Sequence, residues 1–223
     1  MSDGVRVALT RAAGGNDELA ARLRQEELDP VECPLIRIEP IGGSPICVEG
    51  YDWLVLTSRT AVDELLRRLD GSPPRIAVIG PGTADALRER GLEPALVAAE
   101  STQEGLVREL PRPAGRVLFA GAEGARPVLV DELGADFAPL YRTVEERVDT
   151  FPDADLVVLG SASAARAYAV LGRATPCVSI GPVTSKEARG RGLHVVAEAA
   201  SPALEGLVEA VKLAASSIAS SRS

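Results

Sequence analysis

The chain has 223 residues, of which 46% are hydrophobic and 25% charged, and it carries a net charge of −8 with a pI of about 4.9. That balance supports a packed core. It offers no basic run to follow a phosphate backbone, so nucleic acid is excluded as the expected partner. Three Phe, one Trp and three Tyr leave Val, Leu, Ile and Ala to fill the interior, as suits helices on buried parallel strands. Cys33, Cys47 and Cys177 are scattered without a Cys-x-x-Cys pair and His194 is the single histidine, so no metal site is expected. MSDGVRV lacks a signal-peptide core, and no apolar run approaches the roughly 20 residues of a membrane span. A reduced, cytoplasmic protein that meets no membrane is expected, with a frayed Ser-rich tail at 214–223.

In chain order, Val5–Thr10 reads as a strand, Asn16–Leu28 as a helix, and Val31–Ile38 as strand-like. Strand Trp53–Thr57, helix Thr60–Leu69, strand Ile76–Gly80 and helix Thr83–Arg90 follow, then strand Ala95–Ala98 and helix Gln103–Leu110. Strand-then-helix alternation at this spacing means βαβ units and a mostly parallel sheet.

The pattern then repeats. YDWLVLTSRTAVDELLRRL (51–69) is echoed by ADLVVLGSASAARAYAVLG (154–172), and residues 75–110 by 176–211. A weaker repeat links RVALTRAAGG (6–15) with RVLFAGAEGA (116–125). Each of these leads through a helix and a strand to a Pro-Leu, at 34–35 and 139–140. The chain therefore runs short unit, long unit, short unit, long unit. One short and one long unit make a five-stranded doubly wound sheet, and there are two such sets. Periodicity leaves the pairing open. Neighbours could pair in order, or the second long unit could join the first short one, with IRIEP (36–40) and YRTVEE (141–146) as the crossing strands.

Doubly wound sheets bind ligands at the carboxyl ends of their strands. The loops expected there hold Thr10 and Arg11, Thr57 and Ser58, Gly80 to Thr83, and Ser101 with Thr102. The second set is Gly121–Gly124, Gly160 with Ser161, Gly181 to Thr184, and Ser201. Capping is the first expectation for Ser58, Ser101, Ser161 and Ser201, with Ser101-x-x-Glu104 as a capping box and Pro202 opening a helix. As a set, helix starts from two lobes facing one cleft would offer N–H groups to carboxylates. No Ser-His-Asp set, complete dinucleotide fingerprint or phosphate-binding loop is present. His194 is expected to pack inside a strand. Chemistry needing few protein acids, bases or cofactors fits best.

VALTR (7–11), YDWLVLTSRTAV (51–62), AVIGPGTADALRERG (77–91), ESTQEGL (100–106), PLYRT (139–143), DLVVLGSASA (155–164) and SIGPVTSKEARGRG (179–192), in that order, resemble the uroporphyrinogen-III synthase family over roughly residues 5–211. Two places depart from the family pattern. Ala12 follows Arg11 where proline is common, and Gly160 stands where a second Thr-Ser would put threonine.

The resemblance implies two similar flavodoxin-like α/β lobes joined by a two-stranded connector. The end lobe would be 1–35 plus 147–223, the middle lobe 42–139, and the connector strands 36–41 and 140–146. It implies a cofactor-free, cytoplasmic monomer of tetrapyrrole synthesis, open to a transient contact with the preceding pathway enzyme. The substrate would be hydroxymethylbilane, which carries eight carboxylates. The enzyme would expel its terminal hydroxyl as water, invert ring D through a spiro intermediate, and close uroporphyrinogen III. Tyr141 is implied as a general acid that assists without being essential. Thr10, Arg11, Thr57, Ser58, Gly80, Thr83, Ser101, Ser161, Gly181 and Thr184 are the expected substrate contacts, with Arg59 and Arg142 as further cations. The competing expectation is a non-catalytic two-lobe binder of a small organic anion. A duplicated receiver-like module fits poorly, because its clustered acids are missing from the strand ends.

Overall fold

The computed structural model describes residues 4–222. The elements open with β1 (Arg6–Leu9), α1 (Asp17–Gln25), β2 (Asp29–Glu32), β3 (Ile36–Pro40) and β4 (Ile46–Cys47). They continue with β5 (Trp53–Leu56), α2 (Arg59–Leu66), β6 (Leu69–Asp70), β7 (Arg75–Val78), α3 (Pro81–Glu89), β8 (Leu96–Val97) and α4 (Gln103–Glu109). Then come β9 (Val117–Ala122), α5 (Val128–Leu133), β10 (Asp136–Glu145), β11 (Leu156–Leu159) and α6 (Ala162–Val170). The last are β12 (Cys177–Ser179), α7 (Pro182–Gly190), β13 (Val195–Glu198) and α8 (Leu204–Arg222).

The chain forms two compact units. The end unit holds the chain up to Ile38 and again from Thr143, and the middle unit is Glu39–Arg142. The end unit has five parallel strands in the order β13-β12-β11-β1-β2. The other sheet runs β3-β10-β9-β5-β7-β8. Its strands from β10 to β8 pair in parallel. β3 flanks β10 in the opposite sense, with the Ile41 N–H on the Leu140 carbonyl and the Glu146 N–H on the Leu35 carbonyl. Numbered from its short repeat, each five-strand set has the doubly wound order 2-1-3-4-5.

Period-two alternation splits the end unit's core into two layers. Val7, Leu9, Leu156 and Val158 pack with α1 and α8, through Leu19, Leu23, Leu207 and Val211. Ala8, Val157 and Leu159 face the opposite way onto Ala165, Tyr168 and Ala188 of α6 and α7. In the middle unit Trp53, Val55, Val117 and Phe119 meet Leu106, Leu110 and Leu129. β5 and β11 are buried along their whole length, which is why both read as unbroken apolar runs rather than as alternation.

Several expectations need correction. The strand-like stretch 31–38 is two strands, interrupted at Cys33-Pro34-Leu35, because proline donates no ladder hydrogen bond. The strand start expected at 140 falls inside β10, which runs unbroken over Asp136–Glu145. The helix expected to Leu69 stops at Leu66, and β6 pairs with β4 in a small parallel ladder that the sequence did not signal. α8 begins at Leu204, so Ser201 and Pro202 lie outside it. The Ser-rich tail is helical to Arg222, and the Ser216, Ser217 and Ser220 hydroxyls donate to carbonyls four residues back. Among the described residues no helix is long and apolar enough to cross a membrane.

Candidate active site

In the middle unit the site is built where β5 ends and α2 begins. Ser58 is extended (φ −162°, ψ 157°) and caps α2, its Oγ accepting the Ala61 N–H at 3.0 Å. Tyr141 reaches the same hydroxyl from β10. A register shift between Pro139 and Tyr141 inserts Leu140 as an extra residue, and such a bulge re-aims the side chain that follows. The Tyr141 side chain is buried, and its hydroxyl lies 2.9 Å from Ser58 Oγ. With Ser58 donating, the Tyr141 O–H is left to donate elsewhere, which is the orientation a general acid requires. Burial pushes the phenol above its ordinary value of 10, hydrogen bonds from Ser58 and Thr60 pull it down, and Glu64 adds to the rise. Glu64 is itself a buried carboxylate on α2, paired at 2.5 Å with Arg67.

Around this pair, Gly80 opens α3 with Pro81 at the first helical position. A Cβ at Gly80 would fall 2.3 Å from Ser101 Oγ, so the serine fills the volume that the glycine leaves. Ser101 is not the cap of α4. That role belongs to Thr102, whose hydroxyl accepts the Gly105 N–H at 3.0 Å. Thr83 is buried in the first turn of α3, and Thr57 is half-buried beside Ser58.

The end unit repeats the plan with different chemistry. Ser161 caps α6 through the Ala164 N–H at 3.1 Å. Thr10 is fully buried and donates to the Val158 carbonyl at 2.6 Å, tying β1 to β11. The Arg11 side chain lies across Gly160. Gly181 opens α7 with open space above its Cα, and Thr184 is buried one turn on. Arg59 is held by Glu89 and Arg142 by Glu39. His194 is exposed just before β13, and its carbonyl rather than its ring serves the fold, accepting the Cys177 N–H.

The structure thus brings Ser58 to Tyr141 and Arg11 to Gly160. Sequence reasoning missed Thr60 and Glu64. A signal was available: the repeat places Ser163 and Ala167 opposite them, so a carboxylate occupies a position where the other copy has a buried alanine.

The two serine caps make a matched comparison. Ser58→Ala and Ser161→Ala should each cost about 1 kcal/mol in urea unfolding. Ser58→Ala should slow turnover more than Ser161→Ala, because of the two only Ser58 touches Tyr141. Equal kinetic effects of the two substitutions would remove Ser58 from the site.

Fold and site together define a duplicated flavodoxin-like α/β protein, whose strand-end loops carry hydroxyls, glycines and helix starts in place of a nucleophile–base pair. Residues 17–209 match the family model of uroporphyrinogen-III synthase HemD, and the chain belongs to that family. A uroporphyrinogen-III synthase of Synechococcus elongatus is 30% identical across 71% of this chain and 67% of its own. The chloroplastic uroporphyrinogen-III synthase of Oryza sativa subsp. japonica is 30% identical across 92% and 79%. The crystal structure of the Helicobacter pylori uroporphyrinogen-III synthetase shares the fold, with a TM-score of 0.64 at 18% identity over 94% and 99% of the two chains.

Proposed function

We infer that this chain cyclises hydroxymethylbilane, with loss of water and inversion of ring D, to give uroporphyrinogen III for tetrapyrrole biosynthesis. Family membership over residues 17–209 carries the reading and disfavours a non-catalytic anion binder. Open tetrapyrroles close by themselves to the unflipped isomer. The protein's task is therefore to hold the chain ends in the geometry that leads to the flipped one. Helix starts at Gly80 and Gly181, the capping Ser161 and Arg11 suit the grip of many carboxylates by a chain that is itself acidic.

Tyr141 is proposed as the proton donor to the departing hydroxyl, which leaves as water. The phenolate then recovers the proton released when the final pyrrole carbon is substituted, so the cycle closes without a cofactor. Cys33, Cys47 and Cys177 are all free thiols, which supports a reducing compartment, and we place the protein in the cytoplasm. A single chain supplies every group invoked. The direct test is to feed the purified protein enzymatically generated hydroxymethylbilane and resolve the product isomers. Only the unflipped isomer, in amounts equal to a no-enzyme control, would refute the reading.

A pH consequence follows from the buried phenol. Its pKa is raised on folding, so its contribution to stability is complete below pH 10 and is lost as pH rises through the folded value. Tyr141-dependent turnover should accordingly show no alkaline limb below pH 10. A limb in the neutral range that vanished in Tyr141→Phe would contradict this.

A further inference from the structure

At one point of the fold the two units solve the same packing problem in opposite ways. Leu9 pairs with Val158, so two residues further on Arg11 stands opposite Gly160. Leu56 pairs with Ala120, so Thr57 stands opposite Gly121. The repeats make these pairs equivalent, with Arg11 matching Gly121 and Gly160 matching Thr57. Each unit thus sets one glycine against one side chain at the carboxyl ends of two central strands, but the glycine has changed strand.

In the end unit the space over the glycine is committed to the arginine. A Cβ at Gly160 would fall 2.7 Å from Arg11 Cγ, 2.8 Å from Nε and 3.3 Å from Cδ. Cγ lies near the root of the arginine, so the side chain cannot yield by swinging its tip alone. Gly160 is absent from the glycines with positive φ, so its backbone is open to any residue and only the missing Cβ is used. In the middle unit a Cβ at Gly121 would meet the Phe119 ring first, at 3.1 and 3.3 Å, and would lie in ordinary contact, 3.7 Å, with Thr57 Oγ1, a neutral hydroxyl on the side where the end unit has its glycine.

We propose that Gly160 is a positioning residue. By omitting a side chain it holds Arg11 across the β11–α6 turn, and the guanidinium held there takes one carboxylate of the substrate. The proposal rests on the tetrapyrrole reading above. It lies at the carboxyl edge of the sheet, where doubly wound folds take their ligands. A guanidinium pairs with carboxylate through two parallel hydrogen bonds, which a lysine or a hydroxyl cannot reproduce. It would make the two units chemically unequal, with the end unit contributing charge and the middle unit hydroxyls.

The test is a double-mutant cycle on hydroxymethylbilane, reading KM, kcat, isomer ratio and Tm. Wild-type protein that formed no flipped isomer would sink the functional reading itself, whatever the variants did. With that activity present, Arg11→Ala and Gly160→Ala should each raise KM by about tenfold while kcat and the isomer ratio stay within about twofold. The Tm of Arg11→Ala should match the wild type, and removing Arg11 should restore any Tm that Gly160→Ala loses. The double variant should be no worse than Arg11→Ala alone, and Arg11→Lys should recover part of the loss. An unchanged KM in Gly160→Ala overturns the proposal, and so does an equal rise with and without Arg11. If Gly160→Ala fails to fold, Arg11→Gly combined with Gly160→Thr recreates the middle unit's pair and should fold with the KM of Arg11→Ala. A normal KM in that swapped variant would overturn the assignment.

Discussion

Tyr141→Phe should lower turnover by up to about 10²–10⁴-fold, the range of a lost general acid, while the product remains largely the flipped isomer. The substitution removes one oxygen and keeps the ring. The ring fills a buried position on β10, so the fold should survive. The lost oxygen is the one that meets Ser58 at 2.9 Å, and Ser58 keeps its other bond to the Ala61 N–H. α2 therefore stays capped, and a kinetic loss would report on the phenol. Isomer choice should persist because it depends on the shape in which the chain ends are held, not on how fast the hydroxyl leaves. Thr83→Ala and Thr184→Ala, both at buried first-turn positions, should each cost less turnover than Tyr141→Phe. Kinetics and isomer analysis of the folded variants decide the matter. Complete loss of the flipped isomer in any one of them would concentrate the chemistry in that residue.

The largest expected stability effect comes from Gly105→Ala. A Cβ there would lie 2.2 Å from the Glu100 carbonyl oxygen and 3.2 Å from its carbon. The obstacle is backbone, so no side chain can rotate away. That loop is itself pinned: Thr102 caps α4 on the Gly105 N–H, and the Ala99 N–H is held by the Glu109 carboxylate at 3.0 Å. Relieving the clash means lifting the loop and loosening the cap, at about 1–3 kcal/mol or more. Gly206→Ala should act in the same direction in the end unit, where the Ser201 carbonyl oxygen lies 2.6 Å away. Gly82→Ala is the control. Its Cβ meets nothing within 4 Å inside α3, and removing a helical glycine should stabilise by roughly 0.5–1 kcal/mol. Urea midpoints measure all three, and a Gly105→Ala protein as stable as the wild type would refute the packing account.

These glycines explain part of what the repeat motif means. Glu-Gly-Leu recurs at 104–106 and 205–207, at equivalent places in the two long repeats. Its conserved feature between the copies is steric, a loop folded onto the first turns of a helix. The same logic separates Ser58 from Ser101 in the middle unit. Ser58 and Ser101 look alike in sequence, but one caps a helix and meets Tyr141 while the other fills the space over Gly80. Capping rules see only neighbours along the chain, and both serines have plausible helical neighbours. What distinguishes them is which strand lies alongside.

By itself the sequence determined the α/β class, the duplication and the family, because these rest on short-range periodicity, internal spacing and the order of motifs. It left open how the repeats pair. The tertiary structure placed β1 beside β11 and β9 beside β5, and those pairings decide which loops share an edge. Tyr141 meets Ser58 across 83 residues because β10, β9 and β5 are successive neighbours and a bulge shifts the register just before the tyrosine. Arg11 meets Gly160 because the crossover to β11 returns that strand to the first. Neither contact leaves a local trace, since hydrophobic periodicity records which face a residue buries and not which distant strand covers it.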